Sequence, residues 1–290
     1  MDVGASPLGV TRRRRRAMLA RTRNGWRKDR DMKIVTWNVN SVRTRLPHLI
    51  AYLREAEPDV LCLQELKCLE EQFPRAEVES AGYNLAIHGQ KSFNGVAILS
   101  RRPIEARPGL PGDESDVQSR YLEATTTDAS GRLWRIASIY APNGNPLGTE
   151  KFPYKLGFLD RLLVHARALL ALEEPLVLAG DYNIIPEPLD AKRPAAWTGD
   201  ALFQPESRAR YRALLNLGLV DALRARHPEG GIYTFWDYQA GAWQKNDGIR
   251  IDHALLSPEA ADRLSAVAVD KHVRAWDKPS DHVPLRVEFR

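Results

Sequence analysis

The chain of 290 residues is 43% hydrophobic and 27% charged, a balance that excludes collagen-like, disordered and disulfide-scaffold proteins. Two cysteines are too few for a disulfide framework or a cysteine zinc site, and no apolar run of about 18 residues predicts a membrane span. The net charge of +5 is uneven, because residues 1–31 carry +7 and the rest of the chain carries −2. The scarcity of cysteine predicts a reducing, cytoplasmic setting.

The segment 1–31 contains ten basic residues, five of them consecutive arginines at 12–16, and shows no lasting periodicity. It buries too little apolar surface to offset the entropy of ordering, so we predict a basic, disordered extension. One interpretation is a nucleic-acid-binding arm, because clustered arginines neutralise phosphates. The other, which we favour, is an over-extended translation start, because Met32 directly precedes the first predicted strand. The apolar stretch 17–20 is too short for a secretory signal, whereas composition alone leaves a transit peptide open.

From residue 32 onwards, strand-like and helical patterns alternate. Helical spacing of apolar residues predicts helices at 47–57, 154–172 and 207–217. In the long helix, the predicted buried face carries Leu156, Leu159, Leu163, Ala166 and Leu170. Runs rich in β-branched and aromatic residues predict strands at 33–40, 60–66, 94–100, 134–140, 176–180, 250–257 and 283–289. We therefore predict one α/β domain over 32–290, with packed sheets and helices outside.

Several predicted strands end in a carboxylate, amide or phenol, which is where α/β folds place ligand chemistry. Asn38, at the end of the first strand, offers a carbonyl oxygen, although an asparagine that caps a turn is an equally ordinary interpretation. Glu65 continues the apolar row of Leu61 and Leu63 in the second strand. Because an unpaired buried charge is costly, Glu65 is either in an ion pair or a metal ligand, and taken alone the ion pair is the better interpretation.

Later strand ends repeat this pattern. Tyr140 can donate to a developing oxyanion, although taken alone it is better interpreted as a satisfied surface tyrosine. Asp181 and Asn183 stand two residues apart, so they share one side of an extended chain and can hold a water beside a metal. The alternative for this pair is an Asx turn.

Two Asp-His dipeptides occur near the carboxyl end of the chain, at 252–253 and 281–282. One aspartate can fix the tautomer of one histidine by accepting its ring N–H, although a lone histidine is more often structural. Oxygen donors without a thiolate cluster suit Mg²⁺ or Mn²⁺ better than zinc. A hard divalent ion beside an aspartate, a tyrosine and a histidine is the combination that phosphoester hydrolysis needs.

Eight motifs follow one another between residues 32 and 290: TWNVNSVRTR, LCLQELK, GYN, HGQKSFNGVAILS, SIYAPNG, LAGDYNI, GIRIDHALLS and KPSDHVP. Together they resemble the exonuclease III family of abasic-site endonucleases, within the endonuclease/exonuclease/phosphatase superfamily. The resemblance implies a four-layer α/β sandwich, in which two mixed sheets pack face to face with helices outside. It also implies a monomeric, bacterial-type enzyme that acts on nucleoid DNA.

The implied reaction is metal-dependent hydrolysis on the 5′ side of an abasic site in duplex DNA, leaving a 3′-hydroxyl and a 5′-deoxyribose phosphate. Removal of 3′ blocking groups and 3′-5′ exonuclease activity are also implied. Mg²⁺ is the implied cofactor, and Mn²⁺ can replace it. The alternatives are another phosphoesterase of the superfamily and a non-catalytic nucleic-acid-binding regulator.

The resemblance also implies roles for single residues. The implied metal ligands are Glu65 as the principal one, Asn38 beside it and Asp281 in support. Asp181 would orient and deprotonate the attacking water with the help of Asn183. Tyr140 and His282 would contact the scissile phosphate, and Asp252 would hold His282. Family accounts leave two alternatives open, in which His282 is the base or a second ion lies near Asp181 and Asn183.

A body of net charge −2 can still bind DNA if cations line the site locally. The resemblance places Arg120 and Lys151 on DNA-facing loops. Phe235, where exonuclease III has a tryptophan, and the neighbouring Trp236 can stack on bases or shield the abasic sugar, with core packing as the alternative. Binding is expected to be independent of sequence and to weaken as salt rises. The cations that flank the motifs are Arg43, Arg45, Lys67, Lys91, Arg120, Lys151, Lys245, Arg250 and Lys278.

Overall fold

The computed structural model describes residues 32–290, and the predicted extension 1–31 lies outside these described residues. The strands are β1 (Met32–Asn38), β2 (Val60–Gln64), β3 (Asn84–His88), β4 (Val96–Ser100), β5 (Glu105–Pro108), β6 (Tyr121–Thr127), β7 (Leu133–Tyr140), β8 (Leu176–Asp181), β9 (Val220–Asp221), β10 (Asp252–Leu256), β11 (Leu264–Val269) and β12 (Leu285–Phe289). The α-helices are α1 (Leu46–Ala56), α2 (Arg75–Ser80), α3 (Lys151–Leu170), α4 (Pro205–Asn216), α5 (Ala222–Arg226) and α6 (Pro258–Ala261).

The strands form two six-stranded sheets with the orders β11-β12-β1-β2-β4-β3 and β5-β6-β7-β8-β10-β9. Each sheet contains one parallel pair, β1 with β2 and β7 with β8, and the other pairings are antiparallel. A parallel pair needs a crossover connection, which α1 supplies in the first sheet and α3 in the second. Both sheets are therefore mixed, as predicted.

Alternate residues of the central strands point to opposite faces of their sheet, which produces four layers. The inner faces of the two sheets meet in one core that includes Ile34, Cys62, Ile98, Ile136 and Val177. On the outer faces, α1 packs against Val35 and Leu61, while α3 and α4 pack against Leu178 and Leu255. This arrangement of helix, sheet, sheet and helix confirms the predicted four-layer sandwich.

The carboxyl ends of the two parallel pairs lie at the same end of the sandwich. β7 and β8 end side by side, with Tyr140 paired to Asp181, and β10 begins opposite β8, with Asp252 paired to Asp181. Just below this end, the Gln64 side-chain amide of β2 donates to the Ser138 hydroxyl of β7 at 3.0 Å, a polar contact between the sheets. The polar residues at the strand ends are thereby brought to one edge.

The seven predicted strands correspond to β1, β2, β4, β7, β8, β10 and β12, and the three predicted helices to α1, α3 and α4. In α3, Leu159 and Ala166 are buried as predicted, whereas Leu156, Leu163 and Leu170 are only half-buried. The rest of the buried face consists of Lys155, Phe158, Leu162 and Leu169, so its centre is shifted by about one residue from the predicted one. Sequence patterns did not predict β3, β5, β6, β9 and β11. Cys62 and Cys68 are buried free thiols, and none of the helices within 32–290 combines the length and apolarity that a bilayer crossing requires.

Candidate active site

Glu65 stands directly after β2 in a left-handed backbone conformation with a φ of 54°. Its carboxylate accepts hydrogen bonds from the side-chain amide of Asn38 at 2.9 Å and from the ammonium of Lys67 at 2.8 Å. Burial by itself would raise the pKa of Glu65, but Lys67 and Asn38 hold it below its usual value. Glu65 is therefore a carboxylate at neutral pH, in an ion pair and at the edge of the cleft.

Asn38 ends β1 and joins the two sheets at this edge. Its Nδ2 donates to Glu65 at 2.9 Å and to Asp181 at 3.0 Å, while its Oδ1 accepts from the backbone N–H of Asn40 at 3.0 Å. The role of Asn38 as a metal ligand stays a prediction, and in this orientation its amide oxygen is turned away from the two carboxylates. The reason is physical, since an amide nitrogen between two carboxylates is attracted to both, whereas its oxygen would be repelled. Asn38 therefore sets the spacing of the two carboxylates.

Asp181 ends β8 and is almost fully buried. Its Oδ1 accepts from the backbone N–H of Asn183 at 2.8 Å, and its Oδ2 accepts from Asn38 and lies 3.8 Å from Nε2 of His282. Burial raises the pKa of Asp181, and His282 opposes part of this rise. A buried carboxylate with a raised pKa is typical of a residue that exchanges protons with a substrate.

His282 precedes β12, and its Nδ1 lies 2.9 Å from Oδ2 of Asp252 at the start of β10. Burial by itself would lower the pKa of His282, but the adjacent charge of Asp252 raises it to about 10. The other oxygen of Asp252, Oδ1, is buried without a hydrogen-bond partner. The ring of Phe235 packs against the imidazole with the ring centres 5.0 Å apart. Asp252 and Phe235 therefore hold His282 with its Nε2 towards Asp181.

Tyr140 and Asn183 complete the polar side of the cleft. The phenol of Tyr140 lines the cleft together with Glu65 and Asp181. Burial raises its pKa and these two carboxylates add to the rise, so the phenol remains a donor. Asn183, with a φ of 49°, donates through Nδ2 to the carbonyl of Ala141 at 2.9 Å and accepts from Nδ2 of Asn143 at 3.2 Å. Sequence reasoning missed Asn143, although it follows Tyr140 within the motif SIYAPNG.

These side chains line one cleft with a volume of about 340 Å³. Its polar part includes Glu65, Tyr140, Asp181 and His282, and Asp281 borders the same space. An apolar part faces them, formed by Trp197, Leu202, Phe235 and Ile251. Of these four, sequence reasoning predicted Phe235 alone. Trp197 and Leu202 belong to a segment without a recognisable motif, and Ile251 is an apolar residue within the motif GIRIDHALLS that no chemistry singled out.

The cleft offers a donor set that fits a divalent cation. One ligand atom each from Glu65, Asp181 and His282 can be chosen so that all three lie within 4.8 Å of one another, the one such group found in the described part of the chain. Asp281 lies outside this group, and its Oδ1 accepts from Asn40 at 3.0 Å. Carboxylate oxygens without thiolates are the donors that Mg²⁺ and Mn²⁺ prefer.

One residue predicted to contact DNA, Trp236, is buried instead. Trp236 is 0% exposed and packs against Trp243, so it does not face a ligand. Phe235 and Trp236 are neighbours in an extended segment, where successive side chains point to opposite sides, and Phe235 takes the side that faces the cleft. Arg120 is half-buried with its guanidinium 4.9 Å from the ring centre of Tyr140, whereas Lys151 is exposed at the start of α3.

Arg250 is also buried, which contradicts its prediction as a surface cation. It forms ion pairs with Asp190 at 2.6 Å and with Asp221 at 2.7 Å. Burial would raise the pKa of both carboxyls, but Arg250 holds both below their usual value. The two ion pairs therefore contribute their full stability at pH values above the ordinary carboxyl pKa of about 4. This contribution is lost as the pH falls through the lowered pKa values of Asp190 and Asp221.

Replacing Arg250 by alanine is expected to lower the free energy of unfolding by about 3–5 kcal/mol, because it leaves buried Asp221 without a cation and leaves Asp190 with Arg224 alone. Urea denaturation at pH 7 measures this loss. Arg43 is exposed, so Arg43→Ala serves as the matched control and should change stability by less than about 0.5 kcal/mol. If Arg250→Ala lowers the free energy of unfolding by less than about 1 kcal/mol, the ion pairs of Arg250 do not have a structural role.

Comparisons with known proteins place the chain among nucleases. The model of the Endonuclease/Exonuclease/phosphatase family matches residues 35–282. Exodeoxyribonuclease III of Haemophilus influenzae is 36% identical over 268 residues, which cover 89% of this chain and 100% of that protein. Two solved structures each align with 89% of this chain and with 99% of their own chain. One is a 3′-5′ exonuclease of Neisseria meningitidis (TM-score 0.85, 41% identity), and the other an AP endonuclease of Archaeoglobus fulgidus (TM-score 0.84, 37% identity).

Proposed function

The chain belongs to the endonuclease/exonuclease/phosphatase family, and from this membership and its cleft we propose that it is a DNA repair nuclease. It hydrolyses the phosphodiester bond on the 5′ side of abasic sites in duplex DNA. The observation that carries this proposal is the convergence of Glu65, Asp181 and the Asp252–His282 pair beside an apolar wall. Exonuclease activity at 3′ ends and removal of 3′ blocking groups are further activities that the same site would catalyse.

In the proposed mechanism, Asp181 accepts the proton of the attacking water. Its carboxylate is fixed by donors on both oxygens, so it is oriented before the substrate arrives. Asn183, held by Asp181 and Asn143, orients the same water. Asp181 is favoured over His282 as the base, because Nδ1 of His282 donates to the buried carboxylate of Asp252 and this ion pair keeps the imidazole a donor.

The remaining groups stabilise charge on the phosphate. His282 donates from Nε2 and Tyr140 from its phenol to the phosphate oxygens, where negative charge develops during the reaction. Glu65 and Asp181 are the residues that would hold the divalent cation, with His282 adjacent. When bound, Mg²⁺ or Mn²⁺ would neutralise phosphate charge and polarise the reacting oxygens.

The apolar wall supports an abasic sugar as the substrate group. A deoxyribose without its base presents carbon-bound hydrogens that Trp197, Phe235 and Ile251 can cover. Exposed cations, including Lys91 and Lys151, would bind the DNA backbone without reading sequence. We also propose that residues 32–290 act as one catalytic domain with 1–31 as an extension, and that the protein is a monomer that works on DNA in the cytoplasm.

The test compares three substrates for the full chain: a duplex with one tetrahydrofuran abasic analogue, the matched intact duplex and a small phosphomonoester. With Mg²⁺, cleavage 5′ to the analogue is expected to exceed internal cleavage of the intact duplex by on the order of 10²-fold. EDTA is expected to abolish cleavage, and added Mg²⁺ to restore it. Preference for the small phosphoester would indicate a different phosphoesterase, and DNA binding without any hydrolysis would indicate a non-catalytic regulator.

A further inference from the structure

A lysine is buried in the second turn of α3, behind the polar side of the cleft. Lys155 is 0% exposed, and its Nζ donates to the backbone carbonyls of Asn143 at 3.0 Å, Asn183 at 2.5 Å and Ala201 at 3.4 Å. An ammonium has three N–H donors and no acceptor, so three carbonyl oxygens match it. The proposed mechanism assigns no role to this residue.

The three carbonyls belong to three loops that are far apart in sequence. Asn143 follows β7, Asn183 follows β8, and Ala201 lies in the segment before α4. Each loop contributes to the cleft, since Asn143 and Asn183 line it directly and Leu202, the neighbour of Ala201, forms part of its apolar wall. One side chain thus connects the polar side of the cleft to the apolar side.

The contact with Asn183 bears directly on the water-orienting amide. Asn183 has a φ of 49°, a conformation that is uncommon for a residue other than glycine. Its N–H is held by Asp181 and its C=O by Lys155, and its side-chain amide contacts Ala141 and Asn143. The direction of this amide therefore depends on Lys155 at one end of the residue and on Asp181 at the other.

A lysine here costs free energy, because burial removes its ammonium from water. The carbonyl contacts offset that cost, since an apolar side chain of similar length would leave the carbonyls of Asn143 and Asn183 without this donor. What the ammonium adds is a fixed geometry, because its three donors define where three separate backbone segments lie. Gly144 shows how closely they pack, since a Cβ at this position would lie 2.7 Å from Cδ of Lys155.

We propose that Lys155 is a positioning residue that aligns the loops of Asn143, Asn183 and Ala201, and thereby the amides that orient the attacking water. The catalytic part of this proposal rests on the proposed function, whereas the alignment of the loops does not. Lys155 does not touch substrate. It acts through the backbone of Asn183 and Asn143.

Hydrogen exchange tests the alignment without any reference to activity. In Lys155→Met, peptides that cover 141–145, 182–185 and 199–203 are expected to exchange about tenfold faster, all three together. Peptides of α1, on the outer face of the other sheet, should keep their protection. Leu169→Val, a buried change near the other end of α3, is the matched control, and the three loops should keep their protection in this variant. Unchanged exchange in the three loops, or faster exchange throughout the chain, would overturn the proposal.

A double-mutant cycle tests the catalytic part, using the abasic duplex with Mg²⁺. Lys155→Met is expected to lower kcat by about 30- to 100-fold with KM changed less than about threefold, because misplaced groups slow the reaction more than they weaken binding. In a chain that already carries Asn183→Ala, the same change should lower kcat less than about threefold. If Lys155→Met lowers kcat by the same factor with and without Asn183→Ala, Lys155 does not act through Asn183, and the proposal is overturned.

If Lys155→Met does not fold, Lys155→Gln replaces it in both experiments. The glutamine amide keeps two N–H donors, so this variant should give the same pattern with smaller changes. Inactivity of the unaltered chain on every DNA substrate would contradict the proposed function, and hydrogen exchange would still decide whether Lys155 aligns the loops.

Discussion

Replacing Asp181 by asparagine is expected to lower kcat for cleavage at an abasic site by about 10³-fold or more, with little change in KM. The variant loses the carboxylate that accepts the proton of the attacking water. It also loses a matched environment, because both oxygens of Asp181 face donors, from Asn183 at 2.8 Å and from Asn38 at 3.0 Å. Whichever way the new amide turns, its NH₂ group faces one of these donors.

Single-turnover cleavage of the abasic duplex at saturating Mg²⁺ measures this effect on the chemical step. Asp237→Asn is the matched control, because Asp237 borders the same cleft but is exposed and has its carboxylate on the backbone of Gln239. Its rate should stay within about twofold of the original. Full Mg²⁺-dependent cleavage by Asp181→Asn would contradict the proposed mechanism.

Replacing Asp252 by asparagine is expected to lower kcat by about 10²-fold. Asp252 accepts from Nδ1 of His282 at 2.9 Å, and its charge keeps the imidazole a donor towards the phosphate. Asparagine removes this charge. Its second polar atom would enter the position of Oδ1, which is buried without a partner, so the new amide gains no compensating contact there.

The double variant Asp252→Asn, His282→Ala separates orientation of His282 from an independent role of Asp252. If Asp252 works through His282, the double variant should be no slower than His282→Ala alone. If the rate of the double variant falls by the product of the two single-variant effects, Asp252 has a role that is independent of His282. An Asp252→Asn variant with unchanged kcat would remove the orienting role of Asp252 and leave the roles of Asp181 and Glu65 untouched.

Most interior strands were predictable because they are buried on both faces and read as continuous apolar runs. β2 and β4 are of this kind, with every residue buried. β6 is the exception, since it is largely buried but its sequence YLEATTT is rich in threonine. β5 has all four residues exposed and β9 has only two residues, so neither carries a hydrophobic pattern. Their pairing is decided by the neighbouring strands, which a local pattern does not show.

The polar half of the cleft was predictable for a similar reason. Asn38, Tyr140 and Asp181 end strands whose carboxyl ends meet, and Glu65 follows such a strand directly, so the order of strands brings them together. Phe235 apart, the apolar half was not predictable, because Trp197 and Leu202 lie in a long connection whose path is fixed by tertiary contacts alone. Neighbouring residues were also assigned to the wrong side, as with Arg250, which points into an ion-pair cluster while Ile251 faces the cleft.

The amide of Asn38 spans the seam between the two sheets, with Glu65 on one side and Asp181 on the other. The cleft is consequently divided between two sheets that are held together mainly by apolar contacts. If the distance between the sheets increases by a fraction of an ångström, the two halves of the cleft separate while every helix and strand stays intact. Catalytic activity therefore depends on how tightly the two sheets pack against each other. Mild heating or dilute denaturant should inactivate the protein before it unfolds.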